Sequence, residues 1–371
     1  MKPTWREGNR TQLLPGAKYY VPALIDALEH AEESVLFEQY LMASGSFANS
    51  VIKALCAASH RGVQVFVLLD AYGAKGLDHQ DRQRLEQAGV VIREFNPPLS
   101  FRRGSIFSRD HRKLLLVDSK VAFTGGFCIT DEFLGEWFDV AVRIEGPVVQ
   151  DWLSLFVGLW QSQATKGKET APTFEGARYS LDPRFTGSSA RVIWGKGNRQ
   201  QAIRLSLLQQ IESAQHTICL CTPYFLPTPS LKRKLAAAAK RGVVVQLLVA
   251  GKDHDHPTIF HAGRYHYRSL MNAGVQIYEY SPRFIHAKYV IVDDWVTIGS
   301  CNFDHWSLRW NLEANQEVID VEFAKETQRL FKKNIASSVK IEPVEWGSRP
   351  RYQQLKEVIA GGLTAYLTRL R

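Results

Sequence analysis

Two short motifs place a histidine, a lysine and an aspartate at the same spacing. The motifs are His111, Lys113 and Asp118, and His286, Lys288 and Asp293. If each motif lies on a β-strand, its histidine and lysine project from the same face, because residues i and i+2 of a strand do so. An imidazole can attack phosphorus or carry a proton, and an ammonium group can hold phosphate oxygens. These residue types predict phosphodiester chemistry that needs no metal and no cofactor, since the lysines supply the positive charge.

The residues around each motif extend this predicted site. Asp118 and Asp293 complete the catalytic motifs, but their opposite parity and their position at the strand end favour a supporting role. A second strand follows each motif and ends in small residues. Small side chains leave backbone N–H groups and a hydroxyl free to approach a phosphate, so we assign Gly125, Gly126 and Ser300 to a phosphate site.

The two motifs belong to an internal duplication. Segments that begin at Arg61, Ala88 and His111 recur in the same order at Arg241, Ala273 and His286. The offsets are 180, 185 and 175 residues (61 to 241, 88 to 273 and 111 to 286). A duplicated unit folded about a pseudo-twofold axis would bring both histidines and both lysines into one site.

The elements that must position this site alternate between helix and strand. Apolar spacing and helix-stop signals predict helices over 21–33, 47–60, 78–88, 228–240 and 262–273. Several of them lead into apolar, β-branched runs. This alternation predicts an α/β fold of two units, each a mixed sheet flanked by helices, with the site between them.

The same features predict the limits of the domains. We expect an N-terminal unit over 1–160, a polar, breaker-rich linker over 161–190, a C-terminal unit over 191–345 and a basic amphipathic tail over 346–371. The tail spaces apolar residues helically among arginines and lysines. It is equally suited to lie in a membrane interface or to pack against the protein itself.

The amino-acid composition indicates the kind of partner and the cellular compartment to expect. The 371 residues include 46 Lys and Arg against 37 Asp and Glu, and the net charge of +9 favours anionic partners. The five cysteines are irregularly spaced in apolar surroundings, which is typical of free thiols in a reducing compartment. We expect neither a signal peptide nor a transmembrane helix, so any action on a membrane would come from its surface.

With both His-x-Lys-x4-Asp motifs intact, the chain resembles the phospholipase D superfamily over nearly its whole length. Within that superfamily it is similar to bacterial cardiolipin synthases, especially the shorter B branch that lacks N-terminal membrane spans. The segments that carry this second resemblance are 5–9, 143–147 and 299–304.

The resemblance implies a covalent phosphohistidine intermediate between the two halves. It also implies a carboxylate that orients each histidine. That carboxylate maps by position to Glu313, thirteen residues after Ser300, and the same count from Gly126 reaches Asp139. A carboxylate that accepts from the far ring nitrogen would fix the tautomer of the imidazole.

The resemblance favours His111 as the nucleophile and His286 as the general acid. The family usually has an asparagine two residues after the Gly-Gly or Gly-Ser end of the strand. Asn302 occupies that place in the second copy and joins the predicted phosphate site, whereas Cys128 stands there in the first copy. This difference argues mildly for the opposite assignment, and the local pattern alone leaves the choice of nucleophile open.

Three functions remain open on these grounds: a phosphatidyltransferase that makes cardiolipin, a phosphodiesterase that hydrolyses lipid or nucleic acid, and a non-catalytic scaffold for anionic lipids. The complete motifs argue against the scaffold, and the chain lacks the interleaved aromatic residues of a nucleic-acid channel. We therefore expect an anionic phospholipid substrate at a membrane surface, no nucleic acid and no obligate protein partner. We expect the protein to be peripheral, on the cytoplasmic side of the bacterial inner membrane.

Overall fold

The computed structural model describes residues 3–97, 108–162, 165–166, 187–196, 201–304, 307 and 310–369. Most of the predicted linker at 161–190 lies outside the described residues. Strand β10 (Ser188–Lys196) begins at Ser188, so the end of the predicted linker belongs to the second half of the sheet. The reason is its pairing, since Ser188 lies in register with Asn9 of the first unit.

The first unit alternates strands and helices as expected. Its strands are β1 (Arg6–Pro15), β2 (Ser34–Gln39), β3 (Gln64–Asp70), β4 (Val91–Phe95), β5 (Leu114–Val117), β6 (Val121–Gly125), β7 (Trp137–Phe138), β8 (Val140–Glu145) and β9 (Thr165–Lys166). Its helices are α1 (Ala17–Glu29), α2 (Ser46–His60), α3 (His79–Gln87), α4 (Glu132–Gly135) and α5 (Val149–Trp160), with a short 3-10 turn at Gly73–Gly76.

The second unit repeats this pattern. Its strands are β10 (Ser188–Lys196), β11 (Thr217–Thr222), β12 (Val244–Ala250), β13 (Gln276–Tyr280), β14 (Phe284–Ile285), β15 (Tyr289–Val292), β16 (Trp295–Gly299), β17 (Leu312–Ile319) and β18 (Ser338–Lys340). The helices that the structure describes here are α6 (Ala202–Ser213), α7 (Pro229–Lys240), α8 (Pro257–Arg264), α9 (Tyr267–Met271), α10 (Val321–Ala336), α11 (Pro343–Gly347) and α12 (Arg351–Arg369).

The single helix predicted over 262–273 is wrong, because two short helices, α8 and α9, occupy this region. Pro257 lies in the first turn of α8 and starts the helix earlier than predicted. Proline is favoured there because its fixed φ suits a helix start and its missing N–H group has no partner in the helix anyway.

The two units build one continuous mixed sheet. Its order is β9-β4-β3-β2-β5-β6-β8-β1-β10-β17-β16-β15-β11-β12-β13-β18, so each unit presents the same sequence of equivalent strands outward from the centre. Strands β2, β3 and β4 are parallel, as are β11, β12 and β13, and antiparallel pairs complete each half. The junction is the antiparallel pair β1–β10. The matching order confirms two duplicated α/β units related by a pseudo-twofold axis.

Each unit has its own core, and a third core joins them. Helices α1 and α2 pack on one face of the first half of the sheet, and α6 and α7 do the same in the second half. The joint core contains Trp152 and Trp160 of α5 together with Phe323 and Phe331 of α10. Because both units contribute to this core, their relative position is fixed by hydrophobic packing.

The beginning of the predicted C-terminal tail packs on the second unit. Arg349 and Arg264 both pair with the buried carboxylate of Glu357 on α12. A Cβ atom added to Gly361 would lie 2.4 Å from the ring of Tyr265, so α12 approaches α8 closely. Apolar side chains on the outer side of α12 remain exposed, among them Leu355. Of the helices described, α12 included, none combines the length and the apolar character needed to cross a membrane.

Candidate active site

The first histidine is held by the second unit. His111 lies just before β5, and its backbone N–H donates to the carbonyl of Leu312 at 2.9 Å. In return, the N–H of Leu312 donates to the carbonyl of Arg109 at 2.8 Å. This pair of bonds places the Glu313 carboxylate 2.9 Å from Nδ1 of His111.

The second histidine is held by the first unit in the same way. Strand β14 pairs in parallel with β7, and the N–H of His286 donates to the carbonyl of Phe138 at 2.7 Å. Nδ1 of His286 then lies 2.7 Å from Oδ2 of Asp139. Each predicted orienting carboxylate therefore contacts the histidine of the other unit, and each leaves the Nε2 atom of its imidazole for chemistry.

Three residues assigned to the phosphate site pack beside these carboxylates and their strands. The hydroxyl of Ser300 donates to Glu313 at 2.5 Å. A Cβ atom on Gly126 would lie 2.7 Å from the Asp139 oxygens, and one on Gly125 would lie 2.4 Å from the carbonyl of Val140. Small or polar residues are therefore required at these positions to accommodate a carboxylate or a neighbouring strand, and their assignment to a phosphate site stays a prediction.

The two lysines are buried beneath the histidines. Nζ of Lys113 donates to the carbonyl of His111 at 2.6 Å, and Nζ of Lys288 donates to the carbonyl of His286. Nζ of Lys288 also lies 2.9 Å from Nε2 of His286. Burial, together with the charge of Lys113, lowers the pKa of Lys288 to about 8, although Asp139 opposes this shift. The site thus concentrates positive charge where water is largely excluded, which strengthens its attraction for a phosphate.

Burial and the lysines also set the protonation of the two imidazoles. The pKa of His111 is lowered well below its ordinary value by burial and then by Lys113 and Lys288. Burial and Lys288 lower the pKa of His286 to about 3, against the opposing effect of Asp139. An anionic phosphate beside the lysines would offset their charge and raise both values. Burial raises the pKa of Glu313 to about 8, although the charges of Lys113 and Lys288 and the hydrogen bond from Ser300 oppose this shift.

The motif aspartates do not reach the site. The carboxylate of Asp118 accepts from the backbone N–H groups of Glu33 and Ser34 at 2.7 and 2.9 Å, at the start of β2. Asp293 makes the equivalent bonds to the backbone of residues 215–217. His111 precedes β5 and Asp118 follows it, so the chain between them can span up to roughly 20 Å. Both aspartates anchor the turn at the opposite end of the strand, which favours the supporting role expected of them.

A cavity of about 420 Å³ opens above the two histidines. Cys128 and Asn302, the pair that departs from symmetry, both line it. The amide of Asn302 donates to Ser307 at 3.2 Å, and its buried Oδ1 has no hydrogen-bond partner within the described part of the chain. Burial raises the pKa of the Cys128 thiol, which therefore stays protonated.

Among the residues that the structure describes, no cluster of three or more potential metal ligands occurs.

Sequence reasoning missed two supports of the histidines. Arg112, between His111 and Lys113, is buried and pairs with Glu38 at 2.7 Å and with Asp110 at 3.0 Å. The positive charge of the residue between the histidine and the lysine could have indicated this support from the sequence alone. The second support is aromatic: the rings of Tyr40 next to His111, and of Phe133 and Trp137 next to His286, have centroids 4.9 to 5.3 Å from the imidazoles. Their spacing in the sequence gave no signal.

Comparison with known families agrees with this geometry. The family model described as "Cardiolipin synthase, PLD-like domain" matches residues 24–160 and 207–335, one match in each unit. The chain belongs to this family. The two matched ranges contain both histidines, both lysines and both orienting carboxylates.

Curated relatives extend the similarity over most of the chain. Cardiolipin synthase B of Shigella flexneri is 34% identical over 334 residues, which cover 87% of this chain and 79% of the relative. Its counterpart in Escherichia coli K12 is 33% identical over the same length. Cardiolipin synthase A of Pseudomonas aeruginosa is 29% identical over 358 residues, covering 94% of this chain and 71% of the relative.

Solved structures support the fold. The crystal structure of phosphatidylserine synthase from Haemophilus influenzae superposes with a TM-score of 0.76 at 15% identity, covering 97% of this chain and 94% of that one. Polyphosphate kinase from Porphyromonas gingivalis gives 0.57 at 16% identity over 87% of this chain and 50% of that one. At such identities the likeness concerns the architecture of the paired units.

Proposed function

We propose that this protein is a phosphatidyltransferase that makes cardiolipin, moving a phosphatidyl group from a phosphatidylglycerol-type donor to the alcohol of a second phospholipid. The observation that carries the proposal is the arrangement of the two imidazoles. Each comes from a different unit, each is oriented by a carboxylate of the other unit, and both line one cavity above two buried lysines. Membership of the cardiolipin synthase family supports the choice of reaction.

In the first step of the proposed reaction, Nε2 of His111 attacks the phosphorus of the donor. A P–N bond forms, the P–O bond to the donor's glycerol breaks, and His286 gives its proton to the departing glycerol oxygen. The phosphate that enters the site raises the pKa of His286 by offsetting the charge of Lys288, so the acid can hold the proton that it must donate.

In the second step, the hydroxyl of the acceptor lipid attacks the phosphohistidine. Its proton passes to His286, the new P–O bond forms as the P–N bond breaks, and His111 is restored. Lys113 and Lys288 stabilise the charge on the phosphate oxygens in both steps. Glu313 supports the positive charge that develops on His111 while it is bonded to phosphorus.

We further propose that the protein works on the cytoplasmic side of the bacterial inner membrane, bound to its surface. The net charge of +9 favours an anionic lipid surface. All five cysteines are free, which suits a reducing compartment. We expect no activity on nucleic acid.

The test is the lipid composition of a cardiolipin-deficient bacterium that expresses this chain. We expect cardiolipin to return with the wild-type chain and to stay absent with His111→Ala or His286→Ala at equal protein levels. Accumulation of phosphatidic acid without cardiolipin would contradict the proposal and indicate hydrolysis. The purified protein should also leave a generic DNA intact under conditions in which it consumes phosphatidylglycerol.

A further inference from the structure

The walls of the active-site cavity differ in charge although the chemistry at its floor is nearly symmetric. Arg109 lines the cavity from the first unit, two residues before His111. The equivalent position in the second unit, two residues before His286, is Phe284, whose ring packs 4.9 Å from that of Trp137. A duplicated site would not need this arginine on one side alone unless the two sides bind different groups.

The second unit contributes a negative charge to the same cavity. Asp255, from the second unit, lines the same cavity, and its side chain is 20% exposed. Burial tends to raise the pKa of Asp255, but hydrogen bonds from His254 and Tyr224 outweigh this effect and keep the pKa below its ordinary value. The hydroxyl of Tyr224 donates to this carboxylate at 2.5 Å. A second anion in the cavity is therefore disfavoured beside Asp255 and favoured beside Arg109.

The proposed reaction brings a second anion into the cavity. The transferred phosphate lies at the two histidines, where the buried lysines balance its charge. An acceptor that is itself a phospholipid adds its own phosphate, separated from the attacking hydroxyl by the three carbons of a glycerol group. A neutral alcohol or water brings no such charge.

The side chain of Arg109 lines the cavity and stacks on an aromatic ring. Its guanidinium carbon lies 4.6 Å from the ring centroid of Tyr72, which holds the long side chain against the wall. Among the described residues no carboxylate forms an ion pair with it. An arginine held in this way can offer two parallel N–H groups to phosphate oxygens.

We propose that Arg109 binds the phosphate of the acceptor phospholipid and thereby selects an anionic lipid alcohol over neutral alcohols. This inference rests on the proposed function, because it assigns the acceptor side of the same site. Arg109 is a specificity residue in this account: it takes no part in forming or breaking the bonds to phosphorus.

An acceptor competition tests the proposal. Phosphatidylglycerol vesicles are incubated with the enzyme in the presence of ethanol, so that one phosphohistidine is resolved either by phosphatidylglycerol, giving cardiolipin, or by ethanol, giving phosphatidylethanol. Because both products share the donor step, their ratio reports only on the acceptor. We expect Arg109→Gln to lower the ratio of cardiolipin to phosphatidylethanol by about 10- to 100-fold, as expected for losing a charged hydrogen-bonded contact.

Two variants complete the design. Arg268→Gln removes an exposed arginine of α9 that does not line the cavity, and it should keep the wild-type ratio. Arg109→Lys keeps the charge but loses the bidentate geometry, and it should give an intermediate ratio; if Arg109→Gln does not fold, a lowered ratio in Arg109→Lys serves as the test. An unchanged ratio in the folded Arg109 variants overturns this inference alone. Wild-type enzyme that forms phosphatidylethanol but no cardiolipin overturns the proposed function itself.

Discussion

Glu313 and Asp139 each bond Nδ1 of a histidine from the other unit, and their surroundings differ. Glu313 is buried, accepts from the Ser300 hydroxyl and has a pKa raised to about 8. Asp139 lies against Gly126, which has no hydroxyl to offer. If His111 is the nucleophile and His286 the acid, the two carboxylates serve different steps of the reaction.

Replacing each carboxylate by its amide should therefore impair a different step. An amide cannot support the imidazolium, and it allows the wrong tautomer, so we expect both variants to lose on the order of 10²-fold or more in kcat. Asp139→Asn should regain activity with a phosphodiester that has a good leaving group, because such a group needs no proton from His286. Glu313→Gln should not be rescued. Steady-state rates with both substrates measure this, and equal rescue of the two variants would contradict the division of roles.

The pH dependence of kcat/KM should reflect the deprotonation of Lys288. Burial lowers its pKa to about 8, so its ammonium loses the proton, and with it the charge that holds phosphate, as the pH rises through that value. We expect kcat/KM to fall above about pH 8. The fall in kcat should occur at higher pH, because a bound anionic phosphate raises this pKa.

A matched variant separates Lys288 from Glu313, which titrates in the same range. Lys288→Arg keeps a permanent charge, so it should retain kcat/KM across the alkaline range, even if its maximum is lower. A profile for Lys288→Arg that falls near pH 8 like that of the wild type would assign the titration to another group.

Among the structural elements, the turn that follows each motif strand depends on its aspartate. Asp118 has a φ of 52° and Asp293 a φ of 50°, left-handed values that asparagine also tolerates. Asp118→Asn therefore removes the charge while keeping the backbone preference. We expect it to lower the free energy of unfolding by roughly 1 to 3 kcal/mol, because charged hydrogen bonds to three backbone N–H groups are weakened.

The same variant should keep its activity. Because Asp118 lies far from the histidines, kcat/KM per folded molecule should stay within about threefold of the wild type, and Asp293→Asn should behave alike. Urea unfolding and initial rates on the same samples measure the two effects. A loss of activity without a loss of stability would instead indicate a catalytic role for these aspartates.

Helices could be predicted where the spacing of apolar residues and the residues that end a helix lie within one short segment of the sequence. The helix predicted over 78–88 is α3, and the one over 228–240 is α7. The roles of Gly125, Gly126 and Ser300 were not predictable, because they depend on strands β8 and β17 that approach from elsewhere in the chain. Spacing along the sequence identifies a small residue but not the neighbour for which it leaves room.

For the whole molecule, the duplication allowed the architecture to be predicted, and the order of the sixteen strands follows it. The positions that the family resemblance implies for the orienting carboxylates are those of Glu313 and Asp139, and both contact a histidine. The sequence did not reveal that they cross between the units, because this depends on the short parallel contacts of β7 with β14 and of Asp110 with Leu312. These contacts make the site a property of the assembled pair, and neither unit alone contains a complete histidine–carboxylate pair.

Trapping the phosphohistidine tests directly whether a histidine forms the covalent intermediate and which one does so. His286→Ala and His111→Ala are each incubated with an activated phosphatidyl diester whose leaving group needs no proton, and the proteins are analysed by mass spectrometry. We expect His286→Ala to accumulate one phosphatidyl adduct, located on His111, and His111→Ala to form none. An adduct on His286 in the His111→Ala protein, or no adduct in either, would contradict this mechanism.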